Sequence, residues 1–144
     1  MSSMFCFQCE QAAGGKACVK MGVCGKEPST SDLQDDLTFS LIRLAQIMEG
    51  EPMTDYAAEL MMEGLFTTVT NVNFDDESIK KLITLVEAET TARSPHNDGC
   101  GACCACFDEL EVTDGKALFQ GDPDVVSLRS LLLLGLRGMA AYAY

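Results

Sequence analysis

In the stretch Ser31-Asp32-Leu33-Gln34-Asp35-Asp36-Leu37-Thr38-Phe39-Ser40-Leu41-Ile42-Arg43-Leu44-Ala45-Gln46-Ile47-Met48, apolar residues recur at helical spacing. Leu33, Leu37, Leu41, Leu44, Ile47 and Met48 fall three, four or seven residues apart and line one face of a helix. Ser31-x-x-Gln34 has the form of a capping box, which predicts that the helix opens at Ser31 and runs to about Met48. Gly50 and Pro52 then stop it.

Working outward from this helix, the same period recurs downstream. Thr54 reads as the N-cap of a second helix carrying Leu60, Met61, Leu65 and Phe66. Asp75 and Asp76 can cap a third, in which Ile79, Leu82, Ile83 and Val86 form an apolar face and Lys80, Lys81 and Glu87 a solvated one. Between them, Thr67 to Phe74 is β-branched, and its pattern does not choose between strand and helix. Met61, Met62 and the other methionines read as core filler. Asp114-Gly115, set between short alternating runs, predicts a β-hairpin near residues 110–119. Asp122-Pro123 starts a last helix, with Pro in the tolerated first turn. The expected fold is therefore mainly α: an N-terminal binding loop on a helical bundle, with one small hairpin. Two parts are expected, a cluster-binding segment at 1–28 and a helical domain at 29–144. The second contains a Cys-rich loop and hairpin at 94–121. It is expected to be incomplete at its C-terminus, because the last helix reaches Tyr144 with no glycine, basic final turn or polar tail to satisfy its carbonyls.

The 144 residues suffice for one compact domain with a real core. A formal net charge of −12 leaves no basic surface to neutralise phosphates, so neither nucleic acid nor an anionic membrane is an expected partner. Arg129 and Arg137 interrupt the apolar C-terminal stretch, and the run Ser130–Leu136 between them is too short to span a bilayer. The N-terminus has no basic region of the secretory kind, which predicts a cytoplasmic location. In a reducing compartment the eight cysteines would be redox or metal residues rather than disulfides.

Half of those cysteines stand before the first helix. Cys6-Phe7-Gln8-Cys9 is a C-x2-C pair, and Cys18 and Cys24 follow in a loop with Gly14, Gly15, Gly22 and Gly25. A tight turn aims both sulfurs of such a pair inward, and two further thiolates complete a set of four. The glycines would let backbone amides approach the sulfurs. A thioredoxin-like pair would need a βαβ context that this segment lacks. The spacing leaves an iron–sulfur cluster, a structural zinc ion and a plain Cys-rich loop open.

The wording of the sequence is more specific than its spacing. Met4-Phe5-Cys6-Phe7-Gln8-Cys9-Glu10-Gln11, Cys18 and Gly22-Val23-Cys24-Gly25-Lys26 closely resemble the N-terminus of the hybrid-cluster proteins, also called hydroxylamine reductases or prismane proteins. Three later patches agree in order: Leu33 to Leu37, Gly64 to Asp75 and Ser127 to Tyr142. The resemblance implies a [4Fe–4S] cubane on Cys6, Cys9, Cys18 and Cys24, the compact spacing being the one that goes with a cubane in that family. It implies that the cubane relays electrons, received from a redox partner protein, toward a hybrid iron–sulfur–oxygen cluster. The ligands of that second cluster belong to segments that have no counterpart in this chain. It further implies an oxidoreductase that reduces hydroxylamine to ammonia in nitrogen-stress chemistry. This chain alone is then expected to be inactive, and to depend on missing C-terminal domains or a partner chain. The alternatives are a stand-alone iron–sulfur electron carrier and a zinc-stabilised interaction module.

The second cysteine group departs from that family pattern. Cys100, Cys103, Cys104 and Cys106 are crowded into a short run, and the side chains of adjacent Cys103 and Cys104 diverge. We expect a Cys-rich loop there, with His96 as a solvated loop residue.

Overall fold

The structure is a computed structural model that describes residues 4–9, 11–93 and 120–144. Four α-helices lie among the described residues: α1 (Pro28–Ile47), α2 (Asp55–Thr67), α3 (Asp76–Arg93) and α4 (Pro123–Ala143). A single 3-10 turn, Ala13–Gly15, interrupts the loop before α1. No strand longer than one residue pair occurs among the described residues, so the fold is mainly α. The hairpin predicted at 110–119, the second cysteine group and His96 all lie outside the described residues.

The bundle is built on α1, which packs against both α3 and α2. Its predicted stripe supplies the core: Leu37, Leu41 and Leu44 are buried, joined by Met48 just past the helix end. Ala57 and Leu60 enter from α2, and Ile79, Leu82 and Val86 from α3. Burying such side chains contributes about 1.5–3 kcal/mol each relative to exposure. Gly64 lets α1 and α2 come close. A Cβ there would stand 2.7 Å from the Leu41 Cδ1.

The helix starts follow their caps, with one correction. The Thr54 hydroxyl accepts from the Ala57 amide at 3.3 Å, Asp75 Oδ1 accepts from the Glu77 amide, and Asp122 Oδ1 accepts from the Asp124 amide at 2.9 Å. The capping box predicted at Ser31 does not form. The α1 helix starts one turn earlier, at Pro28 after Glu27, because proline lacks the amide that a first-turn position leaves unbonded. Ser31 is then an interior residue, and Gln34 is free for another partner. The ambiguous segment 67–74 is neither strand nor helix beyond Thr67. It turns through Asn71 at φ 64° into the start of α3.

The α4 helix is the exception to amphipathic packing. It rests on α2, with the Phe66 and Tyr144 rings stacked at 5.2 Å, yet only Arg137 and Ala140 are buried. Leu128, Leu131, Leu132 and Met139 are exposed. By length and composition alone α4 could cross a bilayer, but its Arg137 is drawn into the protein.

Candidate metal centre

The loop ahead of α1 is held by backbone hydrogen bonds that set its cysteines in order. Cys6 and Cys18 face each other as an isolated antiparallel pair, exchanging N–H···O bonds of 3.0 and 2.8 Å. Cys9 lies in the turn that follows Cys6, and its carbonyl accepts from the Ala12 amide at 3.2 Å. Cys24 sits in a second turn, closed by the Gly22 amide donating to the Lys26 carbonyl at 2.8 Å. Gly22 packs tightly there: a Cβ would stand 3.1 Å from the Cys24 sulfur and 3.0 Å from the Lys26 Cβ. All four are free thiols, Cys18 buried and the other three half-buried. The structure thus pairs Cys6 with Cys18 directly, and it brings the Cys24 turn to Cys6 through Lys26.

Two of the four sulfurs already meet donors. The Ala13 amide reaches the Cys18 Sγ at 3.4 Å, and the Lys26 ammonium reaches the Cys6 Sγ at 3.8 Å. The amide that finds a sulfur is thus an alanine's, while Gly14, Gly15 and Gly25 serve through their positive φ of 64°, 68° and 89°. Among the described residues no three His, Cys, Asp or Glu side chains gather closely enough for a single ion. A tetrahedral zinc ion would need its thiolates roughly 3.8 Å apart, from Zn–S bonds near 2.3 Å. A polynuclear cluster spreads its thiolates over several irons. Free thiols, two of the four facing N–H groups, are the donor type that iron–sulfur clusters take.

Behind the loop lies a buried polar network that sequence reading did not assign. Lys26 is the largest fully buried side chain among the described residues, 1% exposed. Its ammonium donates to Gln34 Oε1 at 2.6 Å, and Gln34 Nε2 donates in turn to the Asn73 carbonyl at 3.0 Å. Arg137, from α4, donates through Nε to the Thr68 hydroxyl at 2.8 Å and through its terminal nitrogen to the Thr38 hydroxyl at 3.1 Å. The Thr70 hydroxyl donates to the Gln8 carbonyl at 3.4 Å. The four patches singled out in the sequence therefore meet at one place, through Lys26, Gln34, Asn73 and Arg137.

A narrow cleft opens between this network and the cysteine loop, lined by Cys6, Gln8, Asp35, Leu134 and Arg137 among others, with about 10 Å³ of free space. That is about room for one water molecule, and Gln8 Oε1 is buried there without a protein partner among the described residues. Burial pushes the Asp35 carboxyl up to about 6 from an ordinary 3.8, with Arg137 and Lys26 opposing. Burial also pulls the Arg137 guanidinium down, against Asp35 and Cys6. It keeps its proton in any case.

One signal for these residues was present in the sequence. Gln34 shares the register of Leu37, Leu41 and Leu44, and a polar residue in a buried stripe needs a buried partner. Nothing local identified that partner as Lys26, which sits in an irregular loop.

Comparison with known proteins agrees with the resemblance noted above. The model of the Prismane/CO dehydrogenase family matches residues 4–144. A hydroxylamine reductase of Desulfovibrio desulfuricans is 35% identical over 99% of the chain. One of Syntrophobacter fumaroxidans is 38% identical over 97%, and one of Porphyromonas gingivalis 39% identical over 97%. The chain spans 29%, 30% and 28% of the length of these three relatives.

Proposed function

This chain belongs to the Prismane/CO dehydrogenase family, and we propose that it is the cluster-binding N-terminal part of a hydroxylamine reductase-type protein. In this reading Cys6, Cys9, Cys18 and Cys24 hold a [4Fe–4S] cubane. The observation that carries the reading is the loop itself: four free thiols, two already facing N–H donors, in a chain matched over nearly its whole length by hydroxylamine reductases.

A cubane bound there supplies one-electron transfer. The four cysteines bind it, and the Ala13 amide and Lys26 ammonium orient the Cys18 and Cys6 sulfurs. The Cys6–Cys18 pair and the Gly22–Lys26 turn hold the ligands on the bundle, so that little of the protein rearranges when charge changes. Phe5, Val19, Met21 and Val23 are exposed around the loop, a rim on which an electron-donating protein can dock. The exposed apolar face of α4 is a surface that further domains or a partner chain would cover in this reading. We place the protein in the cytoplasm, where its thiols stay reduced.

The chain by itself is a relay and not a reductase. Reducing hydroxylamine needs a metal with an open coordination position, and iron held by thiolates in a cubane has its ligand set filled. The test is anaerobic reconstitution with iron and sulfide. We expect a brown protein with about four irons per chain that exchanges electrons with methyl viologen, and a Cys9→Ser variant that loses most of that iron. A colourless protein that retains zinc, or two disulfides among the four cysteines, would overturn the assignment. Hydroxylamine turnover abolished by changing any one of the four would overturn the relay reading.

A further inference from the structure

The Lys26 side chain poses a charge problem. An ammonium that is 1% exposed has lost its water, and such a group persists only where an anion or a full set of acceptors replaces it. Its acceptor is the neutral Gln34 amide oxygen, and its other neighbour is the Cys6 sulfur. Among the described residues Lys26 forms no ion pair with a carboxylate. A second buried cation, Arg137, is held by two neutral hydroxyls and also feels Cys6. The Asp35 carboxyl reaches both cations, and burial weakens its hold on its charge. Two buried cations therefore stand beside Cys6, the nearer one in contact with its sulfur.

The Lys26 ammonium, bonded to a neutral amide and a sulfur, has a natural counter-charge. An iron–sulfur cluster on four thiolates is a dianion when oxidised and gains one more negative charge on reduction. We propose that Lys26 is the buried counter-cation of the cluster held by Cys6, clamped against that sulfur by Gln34, and that it raises the potential at which the cluster accepts an electron. The inference rests on the reading that Cys6, Cys9, Cys18 and Cys24 bind an iron–sulfur cluster. Lys26 is a positioning residue here, acting on the cluster through the Cys6 sulfur. The clamp is directional, because Gln34 Nε2 is committed to the Asn73 carbonyl and its oxygen must therefore face Lys26. The closed turn Gly22–Lys26 fixes the other end of the lysine. A cation so placed stabilises the reduced form more than the oxidised one, since the reduced form carries the larger negative charge.

The experiment uses the whole chain, reconstituted anaerobically as wild type, Lys26→Met, Lys26→Arg and Gln34→Met. Each is titrated with dithionite in the presence of dye mediators, following the visible absorbance. Lys26→Met is expected to shift the reduction equilibrium at least about tenfold toward the oxidised form, which is about 59 mV for a one-electron couple. Lys26→Arg keeps the charge and is expected to stay near wild type. Gln34→Met frees the ammonium and is expected to fall between the two. A Lys26→Met protein with full iron and an unchanged potential overturns the proposal while leaving the cluster assignment intact. If Lys26→Met holds no iron, the other two variants decide. An iron-loaded Gln34→Met protein at the wild-type potential overturns the proposal, and a lowered potential beside a normal Lys26→Arg supports it. A wild-type chain that takes up no iron overturns both readings.

Discussion

The α3 and α4 helices make an instructive pair. In α3, charged residues outnumber the buried apolar ones, yet Ile79, Leu82 and Val86 are nearly inaccessible to solvent. In α4, leucines dominate, yet the residues it buries are Arg137 and Ala140. Total hydrophobicity therefore does not decide which helix belongs to the core. Arrangement does: the α3 side chains share one face that meets α1, whereas the α4 face of Leu128, Leu131, Leu132 and Met139 meets no other described element. Besides the Phe66–Tyr144 stack, what secures α4 on the described protein is a guanidinium fork reaching hydroxyls on α1 and at the end of α2. Two different devices, one apolar and one hydrogen-bonded, hold helices in the same small bundle.

The contrast can be broken by mutation. The largest effect belongs to Ile79→Ala, which hollows the seam between α1 and α3 and should cost about 2–5 kcal/mol, read as a lowered urea midpoint. Arg137→Met comes next. It removes both hydrogen bonds that seat α4 and should cost about 1–3 kcal/mol. Amide exchange should rise in α4 well before it rises in α3, and equal exchange in the two helices would contradict the polar-anchor account.

A smaller effect comes through Asp35. Its folded-state value of about 6 lies above the ordinary 3.8, so the folded protein holds that proton more tightly than the unfolded chain. The stability this contributes is fully present below about pH 3.8 and is lost as pH rises through about 6. Asp35→Asn should flatten that component in the metal-free protein, measured as urea midpoints of both proteins across the same pH range. The smallest effect is Leu131→Ala on the exposed face of α4, expected within about 0.5 kcal/mol of wild type. A large loss there would mean that this face is already covered in solution.

Elements with a strong period or a specific cap were legible in the sequence. The buried stripe of α1, the Thr54 cap, the Ile79–Val86 face and the Asp122-Pro123 start all appear where spacing put them. The start of α1 was misplaced because Ser31 and Gln34 imitate a capping box, while the residue that begins the helix is Pro28. The four N-terminal cysteines were readable as a motif, since their C-x2-C spacing and glycine-rich surroundings stand together in the chain. Lys26, Gln34 and Arg137 were not readable as a set. They come from a loop and two helices, and Arg137 stands 99 positions from the Thr38 it bonds. Burial of a polar side chain is a property of the assembled bundle, and periodicity encodes only its apolar half.

The Cys6–Cys18 pair bears on how the centre is assembled. A flexible loop loses entropy when its ends are brought together, and here the two backbone hydrogen bonds meet that cost before any iron arrives. An incoming cluster or iron donor would meet two cysteines whose backbones are already paired, with a third on the adjoining turn at Cys9. Capture of a cluster would then take place on a preformed edge beside an already closed Gly22–Lys26 turn, rather than by the folding of a loose segment around a metal.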